Sequence, residues 1–172
     1  MGVVRIFVSY SRDDAASVRP VITALEADGH DVWVDVDDVR GSVRWRAAIA
    51  EAIERADVFV LMISPRSMAS ESVEREVTLA SEAAKRIVPV VISEAQIPVS
   101  LQYELAGIQR VQFGGTPFDR AMTDLRIALG QSADGRGASE RRDELRAHRD
   151  PRLRLSVAAV SVLLVLITVA IL

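Results

Sequence analysis

The sequence predicts a doubly wound α/β domain, a flavodoxin-like five-stranded parallel sheet in the order 2-1-3-4-5 with helices on both faces. Two observations carry this. Short apolar runs alternate with amphipathic stretches over about 125 residues, which implies strand–helix units joined by right-handed crossovers. The middle runs are also nearly all apolar, as strands covered on both faces should be.

The strands read as VVRIFVSY (Val3 to Tyr10), DVWVDV (Asp31 to Val36), DVFVLMIS (Asp57 to Ser64), IVPVVIS (Ile87 to Ser93) and IQRVQF (Ile108 to Phe113). After the first, Val18, Val21, Ile22 and Leu25 fall on one helical stripe that Gly29 stops. Pro20 lies inside that stretch, so the helix begins near Ser17 or kinks at the proline. Trp45, Ala48, Ile49, Ala52 and Ile53 form a second stripe. Val73, Val77, Ala80 and Ala84 form a third, with Glu71–Arg75 and Glu82–Arg86 spaced to pair on its wet side. SEAQIPVSLQYELAG (Ser93 to Gly107) reads as irregular or weakly helical, and a last helix fits Phe118 to Leu129. The domain therefore spans residues 1–129.

Residues 130–152 differ in kind. QSADGRGASERRDELRAHRD is polar, Gly-containing and Arg-rich, and reads as a solvated linker or, from Ser139 to His148, as a helix with basic residues at anionic lipid. Residues 153–172 read as a transmembrane helix. Leu155 to Leu172 carries no charge, Pro or Gly, and its polar residues Ser156, Ser161 and Thr168 can each bond back to their own helix. About 18 residues rising about 1.5 Å each span roughly 27 Å, near the thickness of a bilayer's hydrocarbon core. Its position argues against a cleaved signal peptide. Arg149, Arg152 and Arg154 precede it, and positive flanks stay in the cytoplasm. The expectation is a single-pass membrane protein with a cytoplasmic domain.

Composition excludes several classes. The net charge of −3 gives no sequence-wide case for nucleic-acid binding. With no cysteine, there are no disulfides, thiolate metal sites or Cys nucleophiles. His30 and His148 are the only histidines and lie far apart, which argues against a metal centre or a His-based triad. The hydrophobic fraction of 49% and mean hydropathy of +0.19 are raised by the last segment.

In a sheet of this order, ligands bind beyond the carboxyl ends of the strands where the order reverses, between the first and third strands. Tyr10, Ser11, Arg12, the loop from Asp35 to Ser42, and Ser64 with its following helix would wall that crevice. No G-x-G-x-x-G follows the first strand and no G-x-x-x-x-G-K-[ST] occurs, so dinucleotide and P-loop cradles are missing. A phosphorelay receiver would use acids after the first strand, where Asp13 and Asp14 stand. It also needs an acceptor Asp at the end of the third, where the chain reads Ile63–Ser64–Pro65 and Asp57 lies at the opposite end.

Three blocks, RIFVSYSRDD, GHDVWVDVDDVRGSVRW and ADVFVLMISPRSMASESVEREVTLA, resemble in order and spacing those of Toll/interleukin-1 receptor (TIR) domains of the bacterial kind. The likeness runs from about Val4 to Leu129. The first resembles the F-[IV]-S-[YH] strand end. The second resembles the long loop after strand two, with Asp35, Gly41 and Trp45 in place. The third resembles the S-P…S-x-x-[VC]-x-x-E pattern opening the third helix. The resemblance implies NAD+ cleavage, NAD+ being substrate rather than cofactor, with Glu76 as the catalytic residue. Tyr10, Ser11, Arg12, Asp35, Gly41, Trp45 and Ser70 are implied to contact substrate. Periodicity alone does not choose between Glu74 and Glu76, since both flank the apolar stripe. Structural roles stand beside the implied ones: Trp45 as a core anchor, Ser70 as a helix cap, Tyr10 and Arg12 as strand-end packing, Asp35 and Gly41 as loop shapers.

The chemistry suits so few groups. Cleaving an O-glycoside usually takes two carboxylates because the leaving oxygen must be protonated. Nicotinamide in NAD+ is already cationic and leaves neutral, so one carboxylate stabilising an oxocarbenium-like ribose suffices, with Arg12 suited to the pyrophosphate. The other function class is a non-enzymatic adaptor. The resemblance implies self-association, or pairing with other TIR proteins, through the Asp35 to Ser42 loop, which typically completes a neighbour's NAD+ site. A membrane anchor favours both. The expected partners are further TIR domains and the lipid bilayer, with no nucleic acid and no metal.

Overall fold

The structure, a computed structural model, describes residues 2–34 and 43–130. The Asp35–Ser42 loop, the linker from residue 131 and the Leu155–Leu172 run lie outside the described residues, among which no helix is long and apolar enough to cross a membrane.

Strands β1 (Arg5–Ser9), β2 (Asp31–Val34), β3 (Val58–Ile63), β4 (Arg86–Val91) and β5 (Val111–Gln112) form one sheet in the order β2-β1-β3-β4-β5. Every adjacent pair is parallel. The order and direction are those the apolar runs predict. Helices α1 (Ala15–Ala27), α2 (Val43–Arg55), α3 (Pro65–Met68), α4 (Glu71–Glu82), α5 (Val99–Leu105) and α6 (Phe118–Gly130) complete the domain.

Strand parity sorts the core into two layers. Ile6 and Val8 point to the face covered by α1 and α6, where Val18, Val21, Leu25, Met122 and Leu125 are buried. Phe7 points to the other face, among Ile49 and Ile53 of α2, Val73, Val77 and Ala80 of α4, and Leu101 and Leu105 of α5. On that face Trp33, Phe7 and Phe59 stand opposite one another on β2, β1 and β3. Their rings stack with centroids 4.9 and 5.3 Å apart. Such cross-strand aromatic pairs contribute about 0.5–1.5 kcal/mol each beyond their buried area, and here they fix the lateral register of the three strands that frame the crevice.

The helix ends show where local chemistry decides. Gly29, at φ 85°, closes α1 as the stripe predicts, with the Gly29 and His30 N–H groups donating to the Glu26 and Leu25 carbonyls. The helix starts earlier than Ser17, however. A single 3-10 turn over Arg12–Asp14 leads directly into Ala15, and Pro20 is carried within α1. The third stripe is also shorter than its periodicity suggests. α4 stops at Glu82, and Ala84 takes the left-handed conformation at φ 51° while Ala84 N–H and Lys85 N–H donate to the Ser81 and Ala80 carbonyls. Arg86 therefore opens β4 rather than continuing the helix beside Glu82. Its guanidinium donates to the Ala128 carbonyl near the end of α6, and burial lowers its pKa. A non-glycine residue at φ 51° is strained, so Ala84→Gly should stabilise the domain by about 1 kcal/mol. The check is a higher urea midpoint at unchanged m-value; an unchanged or lower midpoint would show that the Ala84 side chain earns its place.

The segment from Ser93 to Gly107, without clear periodicity, contains α5, and β5 is confined to Val111–Gln112 at the sheet edge. At the amino edge of the sheet Arg5 holds Asp57 three times, through its backbone N–H and Nε–H to Oδ2 and Nη2–H to Oδ1. The Arg5 hydrogen bond lowers the Asp57 pKa. Asp57 is thus committed at the end of the sheet opposite the crevice, which removes the receiver reading on geometry as well as on sequence. Arg126 of α6 similarly forks onto Asp28 at the end of α1, at 2.7 and 3.1 Å, and lowers its pKa.

Candidate functional site

At the carboxyl edge of β1 the parity that buries Phe7 turns Ser9 toward α4. Ser9 is 1% exposed, and its Oγ–H donates to Oε2 of Glu76 at 2.6 Å. That distance lies in the range of an O–H···O⁻ bond. Glu76 is itself only 6% exposed and belongs to the buried row Val73, Glu76, Val77, Ala80 of α4. Acids are almost never this buried without a specific partner, and here Ser9, the last residue of β1, supplies one.

Glu74 is placed differently. It is half-buried and lines an open groove on the outer side of α4 with Glu71, Arg75, Thr78 and Leu79. Arg75 pairs there with Glu71 at 2.6 Å, as the helical spacing predicts. The two glutamates that periodicity leaves equivalent are therefore distinguished by burial and by Ser9.

The other candidates distribute around this point. Ser70 caps α4, its side chain accepting from Val73 N–H at 3.5 Å. Ser11 precedes the 3-10 turn, and its carbonyl accepts from Asp14 N–H at 2.8 Å. Arg12 opens that turn and is half-buried. Trp45, half-buried in the first turns of α2, packs against the core layer that holds Phe7 and Val73. Tyr10 does not join them. It packs against the opposite layer with Val18 and Val21, because it shares the parity of Ile6 and Val8. Asp35 and Gly41 lie outside the described residues.

Ser9 is absent from the sequence-derived candidates, although it is the Ser of the F-[IV]-S-[YH] strand end and shares the parity of Phe7. A second feature carries no local sequence signal, a buried network across the crevice: Asp14, 7% exposed, accepts a short hydrogen bond from Ser64 Oγ and one from Arg66 Nη1 at 3.2 Å. Ser64 and Ser67 form a reciprocal capping box that starts α3 behind Pro65. Every buried side-chain polar atom among the described residues has a hydrogen-bond partner. No group of His, Asp and Glu among them could hold a metal ion.

The family model described as TIR domain matches residues 6–126. Among curated proteins, none matches. Among solved structures, the TIR domain of the Toll-related receptor TRR-2 from Hydra magnipapillata is similar with a TM-score of 0.60 at 17% identity, covering 77% of this chain and all 100% of that one. A CMP N-glycosidase from Clostridium botulinum is similar at 0.53 and 16% identity, covering 72% and 98%. A metazoan TIR-STING receptor from C. gigas is similar at 0.53 and 23% identity, over 74% of this chain and 40% of that receptor. At these identities the structural likeness speaks for the fold alone. With the sheet order and the family match over residues 6–126, it gives the conclusion that this chain belongs to the TIR domain family.

Proposed function

We propose that this TIR domain cleaves NAD+ at the nicotinamide–ribose bond when its copies associate on the cytoplasmic face of a membrane, with Glu76 as the catalytic carboxylate. The observation that carries the reading is the buried Glu76 side chain held by Ser9 at the carboxyl edge of β1. An open sheet of this order binds ligands at that edge, and a carboxylate kept out of water acts on developing positive charge more strongly than an exposed one.

In the proposed step the C1′–N1 bond breaks and its electron pair returns to the pyridinium nitrogen, so nicotinamide leaves neutral. Glu76 stabilises the oxocarbenium-like ribose. Water adds to C1′ and gives up a proton, yielding ADP-ribose. Arg12 suits the pyrophosphate. Ser11, Asp35, Gly41, Trp45 and Ser70 line the site as the family pattern implies. Tyr10 stands apart from that set, its ring packing on the other face of the sheet. The membrane element is the Leu155–Leu172 run behind Arg149, Arg152 and Arg154.

A neighbour named as a CMP N-glycosidase lends the fold a second substrate to consider. Cytosine is uncharged in CMP and must depart as an anion or gain a proton, whereas nicotinamide departs from a cation. A site built on one carboxylate therefore favours NAD+. Incubation of the chain, reconstituted at high density in lipid vesicles, with NAD+ or CMP tests this. Nicotinamide release is the expected outcome; cytosine release without nicotinamide release would overturn the substrate assignment.

A second reading, assembly without catalysis, draws on the outer face of α5, where Val99 and Tyr103 are 83% and 82% exposed. Two large apolar side chains one helical turn apart suit a docking face. Assembly of the domain with no turnover of either nucleotide would favour it.

A further inference from the structure

Asp14 is a buried acid for which the proposed chemistry has no use. Burying a carboxylate is costly unless its oxygens are satisfied, and both are. Oδ2 accepts from Ser64 Oγ, and Oδ1 accepts from Arg66 Nη1 at 3.2 Å. The same Arg66 nitrogen donates to the Asp13 carbonyl at 2.9 Å. Ser64 Oγ in turn accepts from the N–H groups of Arg66 and Ser67 at 3.1 and 3.0 Å.

The placement of this network gives it a consequence. Asp14 ends the 3-10 turn that leaves β1, and Ser64 is the first residue beyond β3, the strand paired with β1. The network bolts together the two chain exits that flank the crevice. The turn it fixes is Arg12–Asp14, which begins with the guanidinium suited to a pyrophosphate. On the other side it fixes α3, which is followed after Ala69 and Ser70 by α4, the helix that carries Glu76.

We propose that Asp14 is a positioning residue for substrate, setting the Arg12 turn at a fixed distance from the α3–α4 side of the crevice. This rests on the reading of the crevice as the NAD+ site. Loosening the turn weakens the hold on the pyrophosphate while leaving Glu76 and Ser9 in place, because that pair is anchored by β1 and α4.

The test uses the full chain in vesicles, well below its unfolding temperature, with Asp14→Ala, Asp14→Asn and Arg66→Ala. Arg66 is surface-exposed, so its truncation leaves the fold intact. Asp14→Ala is expected to raise KM for NAD+ about tenfold with kcat within about threefold of the parent. Arg66→Ala should raise KM less. Asp14→Asn, which keeps an acceptor for Ser64, should restore most of the affinity. Binding of ADP-ribose by calorimetry gives a second readout independent of turnover and should weaken in the same order. A lower unfolding temperature with unchanged KM and unchanged ADP-ribose affinity would make the network purely structural and overturn the proposal. If Asp14→Ala does not fold, Arg66→Ala and Asp14→Asn decide by the same two measurements. A parent that binds ADP-ribose but leaves NAD+ intact would defeat the proposed reaction alone; a parent that binds neither would defeat both.

Discussion

Glu76→Gln is expected to lower NAD+ hydrolysis by about a thousandfold, whereas Glu74→Gln retains the activity of the parent. Removing one pre-organised electrostatic partner of a transition state typically costs about 10²- to 10³-fold in kcat, and here the carboxylate is the only such partner proposed for the ribose. The substitution is nearly isosteric. The Gln carbonyl can still accept from Ser9 Oγ, which lies 2.6 Å from the native oxygen, so the buried contact and the fold survive while the charge is lost. Glu74 instead lines the outer groove of α4 with Glu71, Arg75, Thr78 and Leu79. Steady-state release of nicotinamide, with unfolding temperatures for both variants, is the measurement. Equal losses in both, or turnover retained in Glu76→Gln, would sink the assignment.

The choice between these glutamates shows where the sequence stops being readable. On a helical wheel Glu74 lies about 100° one side of Val73 and Glu76 about 60° the other, so both sit at the margins of the apolar stripe. What separates them is tertiary: the end of β1 passes on the Glu76 side and offers a hydroxyl there. Strand parity holds the clue, since Ser9 shares the face of Phe7 and is the polar residue at the carboxyl end of that row. The strands themselves were legible because covered parallel strands are apolar on both faces. The boundaries that slipped, at Ser17 and Ala84, depend on turns whose hydrogen bonds involve only a few residues. Asp14–Ser64 is a different case. Fifty positions separate the two side chains, and no local pattern marks such a pair. TIR-like motif spacing singles out Ser70, whose capping role is visible in the structure, but says nothing of the partners that hold the strand ends.

Under the proposed function, surface density should be a second control on activity, with an effect as large. The Asp35 to Ser42 loop contains Asp35, Asp37, Asp38, Arg40 and Gly41, too polar to be core, and lies in sequence directly after β2, next to β1 in the sheet. If such a loop completes the site of a neighbouring copy, the dilute domain is mostly monomeric and nearly inactive, since weak association populates little of the assembled form at low concentration. Confinement to a membrane raises effective concentration toward the millimolar range, enough to lift specific activity by about 10²-fold. The full chain reconstituted at rising protein-to-lipid ratio should therefore gain specific activity steeply. Gly41→Pro, which fixes φ within the loop and removes a backbone donor, should stay near the dilute baseline at every density while retaining its unfolding temperature. A flat response in the parent, together with full activity in Gly41→Pro, would mean that one chain builds the whole site, and that anchoring serves location rather than catalysis.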